Sequence, residues 1–146
     1  MKRLYLLFIL ILGLVPLSVS AQSQSLTTIF AADNSFAGNM FDVSVSEDVC
    51  INSFDVNLVS PAATETMTIY YKVGTYAGSE TNAGAWTTLG SAVVTPQGLD
   101  TPTPVPVGGL TLSPGTVYGF YVSLSTYTGD GDAISYTNGG PNVYSN

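Results

Sequence analysis

The sequence contains no histidine, and this absence closes several classes of enzyme chemistry. Hydrolases that rely on an imidazole base and zinc sites that rely on imidazole ligands are excluded. Lysine and arginine are also scarce: three of them stand against ten aspartates and glutamates, which gives a formal net charge of −7. Because nucleic-acid binding needs cations that neutralise phosphates, we expect no nucleic-acid partner.

Cysteine occurs once, at Cys50, so the chain cannot form an internal disulfide. Its strand-like surroundings predict a buried thiol that acts as a small apolar side chain, with an intermolecular disulfide as the alternative. Charged residues are only 9% of the chain, but hydrophobic residues reach 45%. That balance is typical of a folded domain rather than of a disordered acidic chain.

The first 21 residues have the pattern of a secretory signal peptide. Lys2 and Arg3 give a basic start, an apolar run follows, and Val19 and Ala21 are small residues placed before a cleavage point at Gln22. The apolar run is shorter than the ~20 residues of a spanning helix, although an uncleaved N-terminal anchor stays as the alternative. We therefore expect a secreted protein, extracellular or at the cell surface, without membrane contact after cleavage.

Residues 22–146 are predicted to form a single all-β domain. Apolar and polar residues alternate with period two, most clearly over 40–45, 53–58, 66–73 and 117–124, and segments rich in Gly and Pro separate these runs. Each strand has one apolar face, so two sheets must stack to cover both apolar faces. The expected fold is a two-sheet β-sandwich.

The alternation also predicts which side chains face the core. It places Val56 inside and Asn57 outside, and it extends the apolar face of the 66–73 strand as far as Val73. Tyr70 and Tyr121 point away from the apolar faces of their strands. Residues 96–104 are predicted to form a loop, because their prolines cannot donate to a ladder.

A turn followed by a strand, over residues 109–122, resembles the E–F region of fibronectin type III domains. The matching positions are Leu112, Pro114, Tyr118, Phe120 and Val122. The resemblance implies a fibronectin type III or immunoglobulin-like sandwich with a tyrosine corner, in which the Tyr118 hydroxyl bonds to nearby backbone. Trp86 lies too late in the chain to be the core tryptophan of such domains, so a jelly roll stays as the alternative.

The chain is also similar to uncharacterised modules of secreted and surface proteins of bacteria. The segments that carry this similarity are GNMFDV, INSFDVNL, TIYYKVG and YGFYV. Such modules often precede a C-terminal sorting or anchoring segment, and the sequence ends at Asn146 without one. Two interpretations stay open: the chain is a shortened form, or a partner supplies a further strand.

Three aromatic residues form the first candidate site: Tyr70, Trp86 and Tyr121. Rigid rings that face solvent can stack on sugar rings, and nearby Asn, Asp and Thr side chains can supply hydrogen bonds. This pattern predicts a carbohydrate-binding surface. The alternative is that the rings cover sheet edges or fill the core, since aromatic residues are common in strands.

Two carboxylates, Asp130 and Asp132, flank Gly131 and form the second candidate site. Calcium takes six to eight oxygen ligands, so this pair would supply part of a structural Ca²⁺ site. The alternative is an ordinary turn, for which Asp-Gly sequences are common. We expect no other cofactor.

The function expected from these features is that of a non-enzymatic structural or adhesive module at the bacterial cell surface or outside the cell. The alternatives are a carbohydrate-binding module and a small hydrolase that uses a pair of acids. The expected partners are a surface polysaccharide or other copies of this chain, the latter through unpaired strand edges. The proline-rich segment 96–106 is a feature that would protect one such edge.

Overall fold

A computed structural model of the chain describes residues 23–31, 34–59, 64–129 and 131–137. The predicted signal peptide lies outside these residues. The described part contains ten β-strands and one short 3₁₀ turn, Ala83–Ala85. The strands are Asn34–Phe36 (β1), Gly38–Ser44 (β2), Val49–Ile51 (β3), Phe54–Asn57 (β4), Glu65–Val73 (β5), Thr87–Val94 (β6), Pro102–Val105 (β7), Leu110–Leu112 (β8), Val117–Leu124 (β9) and Ile134–Tyr136 (β10).

One layer is a four-stranded antiparallel sheet with the order β2-β9-β5-β6. The ladder between β5 and β9 is in continuous register from Met67, opposite Leu124, to Val73, opposite Tyr118. The β5–β6 ladder is irregular between Ile69 and Tyr70. The two central strands, β5 and β9, carry much of the core, as expected for strands paired on both sides.

The other layer is built from three antiparallel strand pairs: β1 with β10, β4 with β7, and β3 with β8. A bridge between Leu58 and Ile134 joins β4 to β10. The backbone N–H of Gly109, just before β8, donates to the carbonyl of Ile51 on β3 at 2.7 Å, and this bond extends the β3–β8 ladder. The fold is therefore all-β, as the alternation predicts, and its arrangement is that of a β-sandwich.

The core lies between the two layers. Phe120 of β9 is completely buried, and its ring centroid is 5.8 Å from that of Phe41 on β2 and 5.5 Å from that of Phe54 on β4. One ring therefore connects neighbouring strands of the first sheet with a strand of the second. Burial of such large apolar surfaces is the main favourable term in folding.

The tyrosine corner implied by the resemblance is present at the start of β9. The backbone N–H of Ser113 donates to the Tyr118 hydroxyl at 3.3 Å, while the ring of Tyr118 is buried. This bond ties the tight turn at residues 113–116 to the strand that follows it.

Two side chains differ in burial from the prediction. Asn57 is buried because the loop after β6 covers it: its amide donates to the Asp100 carboxylate at 3.1 Å and accepts from the Asp100 N–H at 2.8 Å. Val73 is 67% exposed because it is the last residue of β5, beyond the end of the β5–β6 ladder at Tyr71. Period-two alternation describes a strand's interior and fails where a loop folds over it or the strand ends.

The prediction of a loop throughout 96–104 is wrong for its last residues, which begin β7. Pro102 and Pro104 are exposed, while Thr103 and Val105 are buried. In an antiparallel pair, alternate residues direct their backbone nitrogens toward and away from the partner. Pro102 and Pro104 are alternate residues, so their backbone nitrogens share one direction, and neither carries an N–H to donate to another strand. Protection of this edge by the prolines stays a prediction.

The prediction of a buried Cys50 is also wrong. Cys50 lies on β3 opposite Thr111 of β8, and both residues are exposed. The strand is only three residues long, and its middle residue faces outward. A lone thiol at this position is accessible to solvent.

Candidate functional site

A groove lies on the outer face of the four-stranded sheet. Its floor is a row of three side chains from three adjacent strands: Met40 on β2, Tyr121 on β9 and Tyr70 on β5. The register places Met40 opposite Tyr121 and Tyr121 opposite Tyr70. Side chains directly opposite each other in an antiparallel pair are in contact distance, so the register itself builds the row.

The two tyrosine rings of the floor stack on each other. Their centroids are 5.7 Å apart and their planes differ by 18°. Both residues are half-buried, so each ring keeps a face or edge toward solvent. This offset arrangement is one of the geometries that aromatic pairs prefer, and it holds the rings in one orientation.

One wall of the groove is the loop between β5 and β6, residues 74–86. It contributes Glu80, Thr81, Ala83 and Trp86. The indole N–H of Trp86 donates to the Ser79 carbonyl at 3.0 Å, and the indole ring lies 6.0 Å from that of Tyr121 at an angle of 57°. A hydrogen bond within the loop and a ring contact to the floor together fix the tryptophan.

A set of polar contacts fastens this loop to the sheet. The Asp42 carboxylate accepts hydrogen bonds from the Thr75 hydroxyl at 2.7 Å and from the Tyr76 backbone N–H at 2.9 Å. The Lys72 ammonium donates to the Thr75 carbonyl at 2.5 Å. Hydrogen bonds to charged groups are stronger than neutral ones, which suits an anchor on the surface.

Two glycines let the parts of the groove approach closely. A Cβ on Gly119 would lie 2.9 Å from the Tyr76 nitrogen, so the loop backbone rests directly on β9. A Cβ on Gly38 would lie 2.4 Å from a ring carbon of Tyr121, so this ring covers the β2 backbone. At both positions a side chain would displace the site, because no space is left for it.

The groove is lined by both polar and apolar side chains, and the volume of the groove is about 370 Å³. This size lies near the lower end of the about 300–1,000 Å³ that is typical of small-molecule sites. Its lining residues are Met40, Tyr70, Glu80, Thr81, Ala83, Trp86, Tyr121 and Ser123. Flat aromatic surfaces with a few hydroxyls and one carboxylate can hold a ligand that has both an apolar face and hydrogen-bonding groups.

A band of hydroxyl groups continues across the sheet beside the aromatic floor. Thr68 of β5 is buried, and its hydroxyl lies 2.9 Å from that of Ser91 and 2.8 Å from that of Ser125. Ser123, a lining residue, is the partner of Thr68 in the β5–β9 ladder. The groove therefore opens onto a polar, uncharged surface.

The structure brings together all three aromatic residues that the sequence singles out. Alternation predicts the outward direction of Tyr70 and Tyr121, and both line the groove with Trp86. Sequence reasoning missed Met40 and Glu80. Met40 had a signal, since it has the outward parity of Asp42, whereas the position of Glu80 follows from loop contacts that no local pattern encodes.

The predicted calcium pair is not brought together by anything the structure describes. Asp130 lies outside the described residues. Asp132 is half-buried, and its carboxylate accepts a hydrogen bond from the Thr128 hydroxyl at 3.3 Å. Within the described ranges, no three His, Cys, Asp or Glu side chains are grouped as metal ligands.

Comparison with protein-family models, with curated proteins and with solved structures finds no match to the chain. The groove is therefore the feature of the molecule from which a function can be inferred. In the part of the chain that the structure describes, no helix has the length and apolar character needed to cross a membrane.

Proposed function

We propose that this chain is a non-enzymatic adhesive module that acts outside the cell, at a bacterial surface, and binds carbohydrate in the aromatic groove. The observation that carries the proposal is the convergence of Tyr70, Tyr121 and Trp86 on one solvent-accessible groove. A sugar ring has an apolar face of C–H groups and a rim of hydroxyls. The groove offers aromatic surface to the first and hydroxyl or carboxylate oxygens to the second.

The way the groove is fixed also favours a binding role. Trp86 is held by Ser79 and Tyr121, and the loop that carries it is held by Asp42. A site that is ordered before the ligand arrives loses less conformational entropy on binding. The fixed rings therefore provide a preformed stacking surface.

The groove does not favour the alternative of an acid-pair hydrolase. Glycoside hydrolysis ordinarily uses two carboxyl groups on either side of the scissile bond, about 5–10 Å apart. Glu80 is the one acidic residue among the groove-lining side chains in the described part of the chain. A single carboxylate can orient a sugar by hydrogen bonding without cleaving it.

We also propose that the domain is related to fibronectin type III or immunoglobulin-like domains. The Ser113–Tyr118 hydrogen bond and the sandwich arrangement support it. The terminal strands are unusual for such a domain, since β2 pairs with β9 while the last described strand, β10, pairs with β1. A jelly roll stays as the alternative.

The test of the proposed function uses Trp86, the one tryptophan in the sequence, as a reporter inside the groove. We expect its fluorescence to change saturably when the purified protein is titrated with oligosaccharides of glucan, xylan, mannan and chitin. At least one of these should bind. Tyr121→Ala should weaken that binding at least tenfold, which corresponds to about 1.4 kcal/mol.

The control for this test is Phe36→Ala. Phe36 is 59% exposed and packs on Tyr127, and it is not a lining residue of the groove. This variant should bind like the original protein, and circular dichroism should show that both variants are folded. Failure of all the glycans to bind, or unchanged affinity in a folded Tyr121→Ala protein, would refute the proposal.

A further inference from the structure

We infer that the groove selects glycans that carry no anionic groups and that Glu80 is the residue that makes this selection. The inference rests on the proposed function and specifies the chemical class of its ligand. It follows from the charge of the lining itself, in which Glu80 is the one charged side chain among the described residues.

Glu80 is the charged side chain among the residues that line the groove, and it is exposed on the wall formed by residues 74–86. Asp42 lies on the same sheet face and holds this loop. The whole chain is acidic, with a net charge of −7. A carboxylate or sulfate on a bound sugar would therefore meet charge of its own sign.

The sequence contains few cationic side chains that could neutralise the charge of an acidic sugar. Lys72 is the only lysine or arginine after residue 3. It lies on the outward side of β5, two residues from Tyr70, but its ammonium donates to the Thr75 carbonyl. That bond engages the ammonium with residue 75 of the loop, and Lys72 is not among the residues that line the groove.

A sugar without anionic groups is not repelled by Glu80 and can form hydrogen bonds with it. Its hydroxyls can donate to the carboxylate, and hydrogen bonds to an ionised acceptor are stronger than those between neutral groups. Ser123 and Thr81 can accept or donate at the remaining hydroxyls. One side chain thus contributes both attraction for the neutral ligand and repulsion of the acidic one, which is how specificity commonly arises.

The test compares two derivatives of the same polysaccharide that are similar in bulk and differ in charge. Hydroxyethyl and carboxymethyl derivatives of the glucan, xylan, mannan and chitin oligomers are titrated against the protein at low salt, with Trp86 fluorescence as the readout. We expect the hydroxyethyl derivative of the binding glycan to be preferred by about tenfold, and the preference to shrink as salt screens the charges.

The variants are matched for net charge. Glu80→Gln removes one negative charge at the groove, and Asp55→Asn removes one from an exposed position on β4, in the other layer. We expect Glu80→Gln to reduce the preference to about twofold and Glu80→Lys to reverse it, while Asp55→Asn leaves it unchanged.

The outcomes separate the inference from the proposal on which it rests. If no glycan or derivative binds, the proposed function itself is wrong. If a glycan binds but its carboxymethyl derivative binds equally well or better, the proposed function stands and the selection does not. Equal effects of Glu80→Gln and Asp55→Asn would show that net charge, rather than Glu80, sets the preference.

Discussion

Tyr118 illustrates how one polar atom on a core residue can stabilise a turn. Its ring is buried and its hydroxyl accepts from the Ser113 backbone N–H. Tyr118→Phe removes the hydroxyl oxygen and leaves the Ser113 N–H without this hydrogen-bond acceptor. We therefore expect the free energy of unfolding to fall by about 1 kcal/mol. Urea denaturation followed by circular dichroism measures the change.

Tyr127→Phe is the matched control for this substitution, because the Tyr127 ring also packs against the core. We expect it to change the free energy of unfolding by less than about 0.5 kcal/mol. Equal losses in the two variants would mean that the hydrogen bond to Ser113 contributes nothing specific.

At the scale of elements, the β5–β6 loop is the part on which the groove depends. Asp42→Ala removes both hydrogen bonds from residues 75 and 76 to the sheet. We expect faster amide hydrogen exchange in the loop, a loss of stability of about 1 kcal/mol, and weaker glycan binding, because the wall of the groove is no longer held in place.

Ser44→Ala tests whether the effect is specific to the anchor. Ser44 lies on the same strand as Asp42, two residues along, and is also exposed. Its substitution should leave the exchange rates of residues 74–86 unchanged. Slow exchange in the loop of the Asp42→Ala protein would show that other contacts hold it.

The strands and loops also show which parts of the fold and of the groove can be predicted from the sequence. Alternation predicts β2, β5 and β9 and the outward direction of Tyr70 and Tyr121, because a strand's side chains alternate whatever surrounds it. It cannot predict that Asp42 accepts hydrogen bonds from Thr75 and Tyr76, which lie 33 and 34 positions later in the chain and belong to the loop that carries Glu80. Nor does it predict a strand at Pro102–Val105, since the direction of the proline nitrogens depends on the partner strand.

At the scale of the whole molecule, Phe120 connects the two layers. Phe120→Ala would leave a cavity between Phe41 and Phe54, and we expect it to lower the free energy of unfolding by about 3–5 kcal/mol. Unfolding followed by circular dichroism and by Trp86 fluorescence should give coincident transitions, because the layers share this core.

Val93→Ala provides the contrast, since Val93 is 69% exposed on β6. We expect its effect to stay within about 0.5 kcal/mol. Non-coincident transitions in the Phe120→Ala protein would instead mean that the two layers unfold separately.

The pairing of β1 with β10 determines how the sandwich would respond to mechanical tension. Asn34, where the first strand begins, lies opposite Tyr136, where the tenth ends. A pull applied through these two points would separate the pair one rung at a time, starting at that rung, instead of shearing a long ladder. After that separation the load would reach β2, because β2 follows β1 after a single residue, and β2 carries Met40 of the groove floor.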